Sequence, residues 1–332
     1  VRGVSRQQGI IVTRLEEGLQ GEAVQRTGLL QLDQNDLPES LRKTRWDFAY
    51  RYGAVPYQLT VGVDKVAPRL SVTELVEAEL EANRMTINWQ GLYQIDDAGL
   101  FQLRVEIPEG FEVRSIQGKT IADASAVAVD ASHRAADDGT NWIVNLSQKA
   151  IGKVGLSMQL QRPLDDPNLQ SPTGETSNIA IPMPRAWHDD VEFSQGTFVL
   201  LTPQSLRINP TDLDGLRSVS FAEAYQALPA AGRSTAQLQP VLAYEFAKGP
   251  TQLVVTAERR RPQVAVDQLL QAEIEAGVVK FRATFYYDVK YSGVKSFRID
   301  IPSELTQEIR VTNNSLRREE IQPTPDNVPE GY

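Results

Sequence analysis

The chain has 332 residues, 41% of them apolar and 23% charged, with a net charge of −9 and no cysteine. That balance fits two or three globular domains and lacks the basic face that nucleic acid or an anionic membrane surface requires. Without cysteine there are no disulfides, thiolate metal sites or cysteine nucleophiles, and no run of 18 apolar residues is present to span a membrane as a helix.

The chain begins Val1-Arg2-Gly3-Val4, with neither an initiator Met nor a signal peptide, and is expected to be cut from something longer. Gly9–Val12 opens the first β-rich stretch, and a short helix is expected at Pro38–Lys43 beside a Leu-Pro corner. Tyr57, Leu59, Val61 and Val63 alternate with polar residues, as do Leu103, Val105 and Ile107. Period-two alternation is the pattern of a half-buried strand. Thr73–Ala82 has high helix propensity but alternates from Val76 to Ala82, which predicts a long strand with Glu77, Glu79 and Glu81 on a solvated face. Arg162–Pro184, rich in Pro, Asn, Ser and Thr, reads as a linker or long loop, and a second short helix is expected at Ala222–Ala227. Phe297, Ile299 and Ile301 alternate like Leu103, Val105 and Ile107, which predicts another strand there.

An internal repeat organises these elements. Phe48–Pro108 aligns without a gap on Leu242–Pro302, 194 residues on, with 18 of 61 positions identical. FAYRYGAVPYQLTV meets LAYEFAKGPTQLVV, and PRLSVTELVEAELEA meets PQVAVDQLLQAEIEA. Differences such as Leu70/Val264 and Leu80/Ile274 conserve a buried face. Upstream, Gly9–Val12 resembles Gly196–Val199, and Gly28-Leu29 resembles Gly215-Leu216. One unit of about 190 residues is therefore expected, present in about one and a half copies. The second is expected to be incomplete, because Gly331 stands where Gly139 stands and nothing matches the strand Trp142–Leu146. The fold class read from this is all-β, with tandem antiparallel β-sandwich domains. The divisions expected are 1–66, 67–190, 191–260 and a truncated 261–332.

Candidate chemistry is sparse. His133 and His188 are the two histidines. His188 with Asp189 and Asp190 could hold a metal, but neighbouring residues on a strand face opposite ways. Asp212 and Asp214 faintly resemble a calcium loop without its distal Glu, which favours a plain turn. Glu79/Glu81 recur as Glu273/Glu275, and faithful duplication favours a solvated face over paired acid–base carboxylates. Arg259-Arg260-Arg261 reads as a strand end, with an acidic contact as the sharper alternative. Among Trp46, Trp89, Trp142 and Trp187, the recurrence of Tyr50/Tyr244 and Tyr93/Tyr287 assigns those tyrosines to the core. Trp89 becomes Ala283, so Trp89 and Trp187 remain as candidate ligand contacts, for instance on a glycan. No catalytic, metal or cofactor-binding residues are expected, and no enzyme.

LAYEF…PTQLVV, ATFYYDVKYSGVKSFRIDIP and VEIPEGFEVRSIQGKTI resemble segments of very large envelope-associated β-repeat proteins of planctomycete-like bacteria, over most of the chain. The resemblance implies an extracytoplasmic, multi-unit β architecture and transfers no functional residue. The function expected is a structural or interaction segment of a larger cell-envelope or secreted protein, the alternative a carbohydrate-binding accessory module, and a third a hydrolase with its site in the loops. The partners expected are other domains of the same large protein, with a glycan or another protein next, and neither nucleic acid nor a direct membrane span.

Overall fold

A computed structural model describes residues 6–16, 18–136, 139–229, 238–249, 251–313, 315–319 and 327–332. The chain is all-β, with a few short helical turns, and divides into two compact units, Val1–Arg261 and Pro262–Tyr332.

The first unit opens with β1 (Gly9–Thr13), β2 (Leu19–Thr27), β3 (Leu29–Gln31), α1 (Glu39–Arg42), β4 (Phe48–Tyr52) and β5 (Gln58–Lys65). β4 lies between β1 and β3, and β2 pairs with β5. Leu32, Leu37 and Ala49 close a small core against Ile10, Val12 and Trp46.

Next come β6 (Arg69–Leu80), β7 (Arg84–Glu106), β8 (Glu112–Gly118), β9 (Ser125–Ala126), β10 (Val129–Arg134), β11 (Asn141–Pro163), α2 (Pro167–Gln170), β12 (Thr176–Ala180) and β13 (Arg185–Ala186). They are followed by β14 (Val191–Pro203), β15 (Leu206–Asp214), β16 (Leu216–Ser218), α3 (Phe221–Ala224), β17 (Leu238–Ala247) and β18 (Gln252–Arg259). A ten-stranded sheet runs β10-β11-β7-β6-β14-β17-β16, with β8, β9 and β13 attached off this path. A smaller sheet, β12-β18-β15, supplies Ile179, Leu253 and Val255 to the core that also holds Val72, Val76, Trp89 and Leu156. Pairing is antiparallel except for β14 on β6 and β9 on β11. β6 is extended despite its helix-forming Glu and Leu, because β7 and β14 satisfy its backbone on both edges and its apolar residues are buried.

Three expectations are revised within this unit. Residues 162–184 are not a linker: α2 and β12 lie there, and Leu169, Ile179, Ile181 and Met183 are buried in the main core. Their polar composition reflects alternation on an edge strand and a helix cap, where Asp166 accepts from the Asn168 N–H at 2.9 Å. Glu77 is buried, because the Tyr225 hydroxyl donates to it at 2.8 Å from the segment after α3. The expected divisions at 66/67 and 190/191 fall inside the compact unit, since β14, which begins at Val191 just after the second division, pairs with β6 before it.

The second unit is a hairpin of β19 (Gln263–Glu275) and β20 (Val278–Lys290) with Gly277 at φ +82° in its turn, followed by a 3-10 turn at Ser303–Glu308. The strand expected over Phe297–Ile301 is not formed. β7 stays extended to Glu106 because β11 pairs with it through Asn141–Asn145; among the described residues no strand pairs with 297–301.

Pairing partners recur along the chain. Gly9 faces Tyr52, and Gly196 faces Phe246. Leu29 also faces Tyr52, and Leu216 Phe246. Leu19 faces Lys65 and Leu206 faces Arg259, with a register shift at Ala23/Gln25 in one pair and at Pro210/Asp212 in the other. Leu70 faces Ile95 and Val264 faces Val289; Leu80 faces Met85 and Ile274 faces Val279.

Candidate functional site

The most unusual chemistry lies where β14 joins β6. Glu74, on β6, is buried, and its carboxylate collects three donors from three other strands. Trp89 Nε1 on β7 donates to it at 2.8 Å, the Ala186 backbone N–H on β13 at 2.9 Å, and Ser194 Oγ on β14 at 2.7 Å. Burial raises the Glu74 carboxyl above its usual range, and the three bonds and the nearby Arg185 charge only partly oppose this. Tyr93 packs edge-on to Trp89 with ring centroids 6.4 Å apart, and its hydroxyl is also pushed up, first by burial and then by the Glu74 and Asp190 charges.

Small residues permit this close approach. A Cβ on Gly91 would lie 2.4 Å from the Trp89 ring, and one on Gly196 would lie 2.8 Å from the Glu74 carbonyl oxygen. Beside the carboxylate, Arg104 donates to Asp190 through Nε at 2.7 Å, and its guanidinium stands 5.6 Å from the Trp187 ring. Arg185 covers the Phe246 ring at 5.0 Å and donates to the Ala247 carbonyl at 2.8 Å. On the opposite face of the sheet, Gln90 Nε2 donates to the Pro229 carbonyl at 2.9 Å, and Leu75, Ile121 and Leu228 pack together. Residues 185–259 are thus tied to β6 and β7 on both faces and along the β6 edge.

Chemically this is a joint. Glu74 has its oxygens committed to fixed donors, which orients strands rather than leaving a base open to a substrate.

The two candidate ligand contacts lie inside it. Trp89 is 0% exposed and Trp187 8% exposed. A sugar platform needs an open ring face, and neither offers one; Trp89 is the indole that holds Glu74, and Trp187 lies buried beside the Arg104 guanidinium, with the His188 ring 4.9 Å away. Sequence reasoning named both for being unrepeated and missed Glu74, whose signal was available: the positions 194 residues on from Glu74 and Trp89 carry Gln268 and Ala283.

The remaining candidates are dispersed. His133 is exposed on β10, and His188 is 3.3 Å from Asp189 on the surface. Asp212 and Asp214 lie exposed on β15, where Asp212 accepts from Gln252 at 2.9 Å. Glu79 accepts from Asn88 at 3.2 Å and is raised by burial, then by the Glu81 and Glu77 charges. Arg261 reaches the Thr173 carbonyl at 3.4 Å. Among the described residues no three His, Asp or Glu side chains cluster as metal ligands. A surface depression of about 490 Å³ is lined by Arg14, Leu15, Glu16 and Lys149 and contains none of the expected residues.

No family model matches the sequence, and no curated protein matches it. Among solved structures the chain is similar to a variant of an M1 zinc metallopeptidase from Deinococcus radiodurans bound to a Tyr-Ser-Ala substrate. The TM-score is 0.32 at 11% identity, covering 66% of this chain and 48% of that one. A two-domain M1 zinc metallopeptidase variant bound to L-tryptophan gives a TM-score of 0.32 at 10% identity, covering 74% and 54%. The chain spans about half the length of these structures, and likeness of this degree assigns neither fold family nor activity.

Proposed function

We propose that this chain is a non-enzymatic structural or interaction segment of a larger extracytoplasmic bacterial protein, assembled from copies of one β unit. The observation that carries this reading is the parallel pairing of β14 with β6, from Val191–Leu70 to Leu201–Glu79. Through it, the first strand of the second copy is built into the sheet of the first. Recurrence of the same pairings and the same register shift at both ends of the chain supports treating the two halves as copies. A string joined this way transmits load and orientation through backbone hydrogen bonds, as a scaffold requires.

Two measurements test the reading together. Tryptophan fluorescence titrated with a glycan panel is expected to stay unchanged, because Trp89 and Trp187 are enclosed; a saturable change would replace the proposal with carbohydrate binding. Protease added to cells of the source bacterium whose outer envelope has been permeabilised is expected to cleave the chain, and protection equal to that of a cytoplasmic marker would remove the extracytoplasmic assignment.

A further inference from the structure

Among the described residues two surfaces are uncovered whose counterparts are buried against each other. The first is the β19–β20 hairpin. Its Val264, Val266, Leu270 and Ile274 are exposed, while the matching Leu70, Val72, Val76 and Leu80 of β6 are buried. The outer edge of β19 is unpaired among the described strands, whereas the same edge of β6 carries β14. The second surface is at the other end of the chain. β1 pairs with β4 on one side only, whereas its counterpart β14 lies between β17 and β6. Leu59, Val61 and Val63 of β5 are half-buried or exposed, while the matching Leu253, Val255 and Ala257 of β18 are buried over β6 and β7.

We infer that the chain associates head to tail with a second copy of itself, β1 of one copy adding in parallel to the β19 edge of the other while its β2–β5 sheet covers the exposed hairpin face. This rests on the proposal that the halves are copies of one unit. The register follows from the internal joint. Gly196 faces Glu74 and Phe198 faces Val76. The matching pairs are Gly9 with Gln268 and Ile11 with Leu270, which run on to Thr13 with Ala272. Backbone pairing supplies the main-chain hydrogen bonds of strand addition, and the alternating apolar side chains set the register. Glycine fits the approach at both joints: Gly196 lies against the Glu74 carbonyl, and Gly9 occupies the same place on the free strand. The contact joins two different surfaces of each copy, so it is heterologous and propagates as a chain or closes as a ring.

The test is sedimentation of the full chain over a concentration series. The weight-average mass is expected to rise above 36.9 kDa with concentration. Leu270→Glu spoils the accepting face and Val63→Glu the donating face. Both residues are exposed, at 57% and 46%, so both variants are expected to fold as the native chain does, which far-UV circular dichroism checks. Each alone is expected to associate at least about 100-fold more weakly, because a carboxylate would be buried unpaired in the contact. An equimolar mixture retains one good face of each kind and is expected to give a discrete dimer of twice 36.9 kDa. Wild-type chain that stays monomeric throughout overturns the inference, as does a single variant that associates normally or a mixture that fails to dimerise. A monomer that is inert to glycans and accessible on cells leaves the segment reading intact and removes only this contact. A glycan response removes that reading whatever the mass.

Discussion

The β6–β7 pair and the β19–β20 hairpin have the same register, residue for residue, and opposite environments. Leu80 faces Met85 and is 0% exposed; Ile274 faces Val279 and is 81% exposed. Register is a local property, set by alternation and by the turn between the strands. Burial is not local. In the first pair it is supplied by β14 along the edge, by β12 and β18 over one face, and by Tyr225 and Leu228 over the other. Sequence similarity therefore transfers the pairing and leaves the environment to whichever strands come alongside.

Matched truncations break the comparison most directly. Leu80→Ala is expected to cost about 2–5 kcal/mol, since it opens a cavity in a fully buried layer. Ile274→Ala, its counterpart, is expected to stay within about 0.5 kcal/mol, as surface substitutions do. Urea unfolding of the two variants, with m-values compared to confirm a common transition, measures both. At a concentration where the chain is monomeric, equal effects would mean that the hairpin face is covered within the single chain.

The all-β class and the extended state of Thr73–Leu80 were legible because each rests on alternation within the sequence. What was not legible depended on contacts distant in sequence. Glu77 looked solvated because Glu79 and Glu81 follow it at alternate positions of the sequence, and only the fold brings Tyr225 to it. Residues 162–184 looked like a linker because their composition is polar, yet β12 finds a partner in β18 80 residues on, Ser177 facing Ala257. Trp89 and Trp187 were singled out for being unrepeated, and that uniqueness marks a joint with another segment as readily as it marks a ligand site. The covariation of Glu74 with Trp89 was the better clue, because an indole N–H and a carboxylate form a donor–acceptor pair.

Glu74→Gln sharpens the same comparison, since glutamine is what the second hairpin carries at that position. The variant keeps size but turns one acceptor into a donor facing donors, so a cost of about 1–3 kcal/mol is expected. The pH dependence has a definite sign. Burial holds the folded carboxyl above the ordinary value of 4.5, so between that value and the raised one the folded state keeps a proton that the unfolded state releases. This contribution to stability is full at pH below 4.5 and is lost as pH rises through the folded pKa. Subtracting the stability–pH curve of the variant from that of the native chain is expected to leave a difference that shrinks as pH rises. A difference that grows with pH would show that the three donors outweigh burial.

The smallest expected effect concerns the two short helices that follow the Gly-Leu strands. α3 has a full capping box: Ser220 Oγ accepts from the Glu223 N–H at 3.2 Å, and Glu223 accepts from the Ser220 N–H at 2.8 Å. α1 starts at Pro38, which has no side-chain oxygen to offer. The difference has a structural use, because α3 ends at Tyr225, whose hydroxyl holds Glu77, and Thr197 of β14 donates to the Ala224 carbonyl at 2.7 Å. Ser220→Ala is therefore expected to cost about 1 kcal/mol and to raise amide exchange first at Ala224 and Tyr225, with β1–β5 unaffected. If exchange rises instead along all of β14, the cap supports the parallel joint itself, and the short helix helps to fasten β14 to β6.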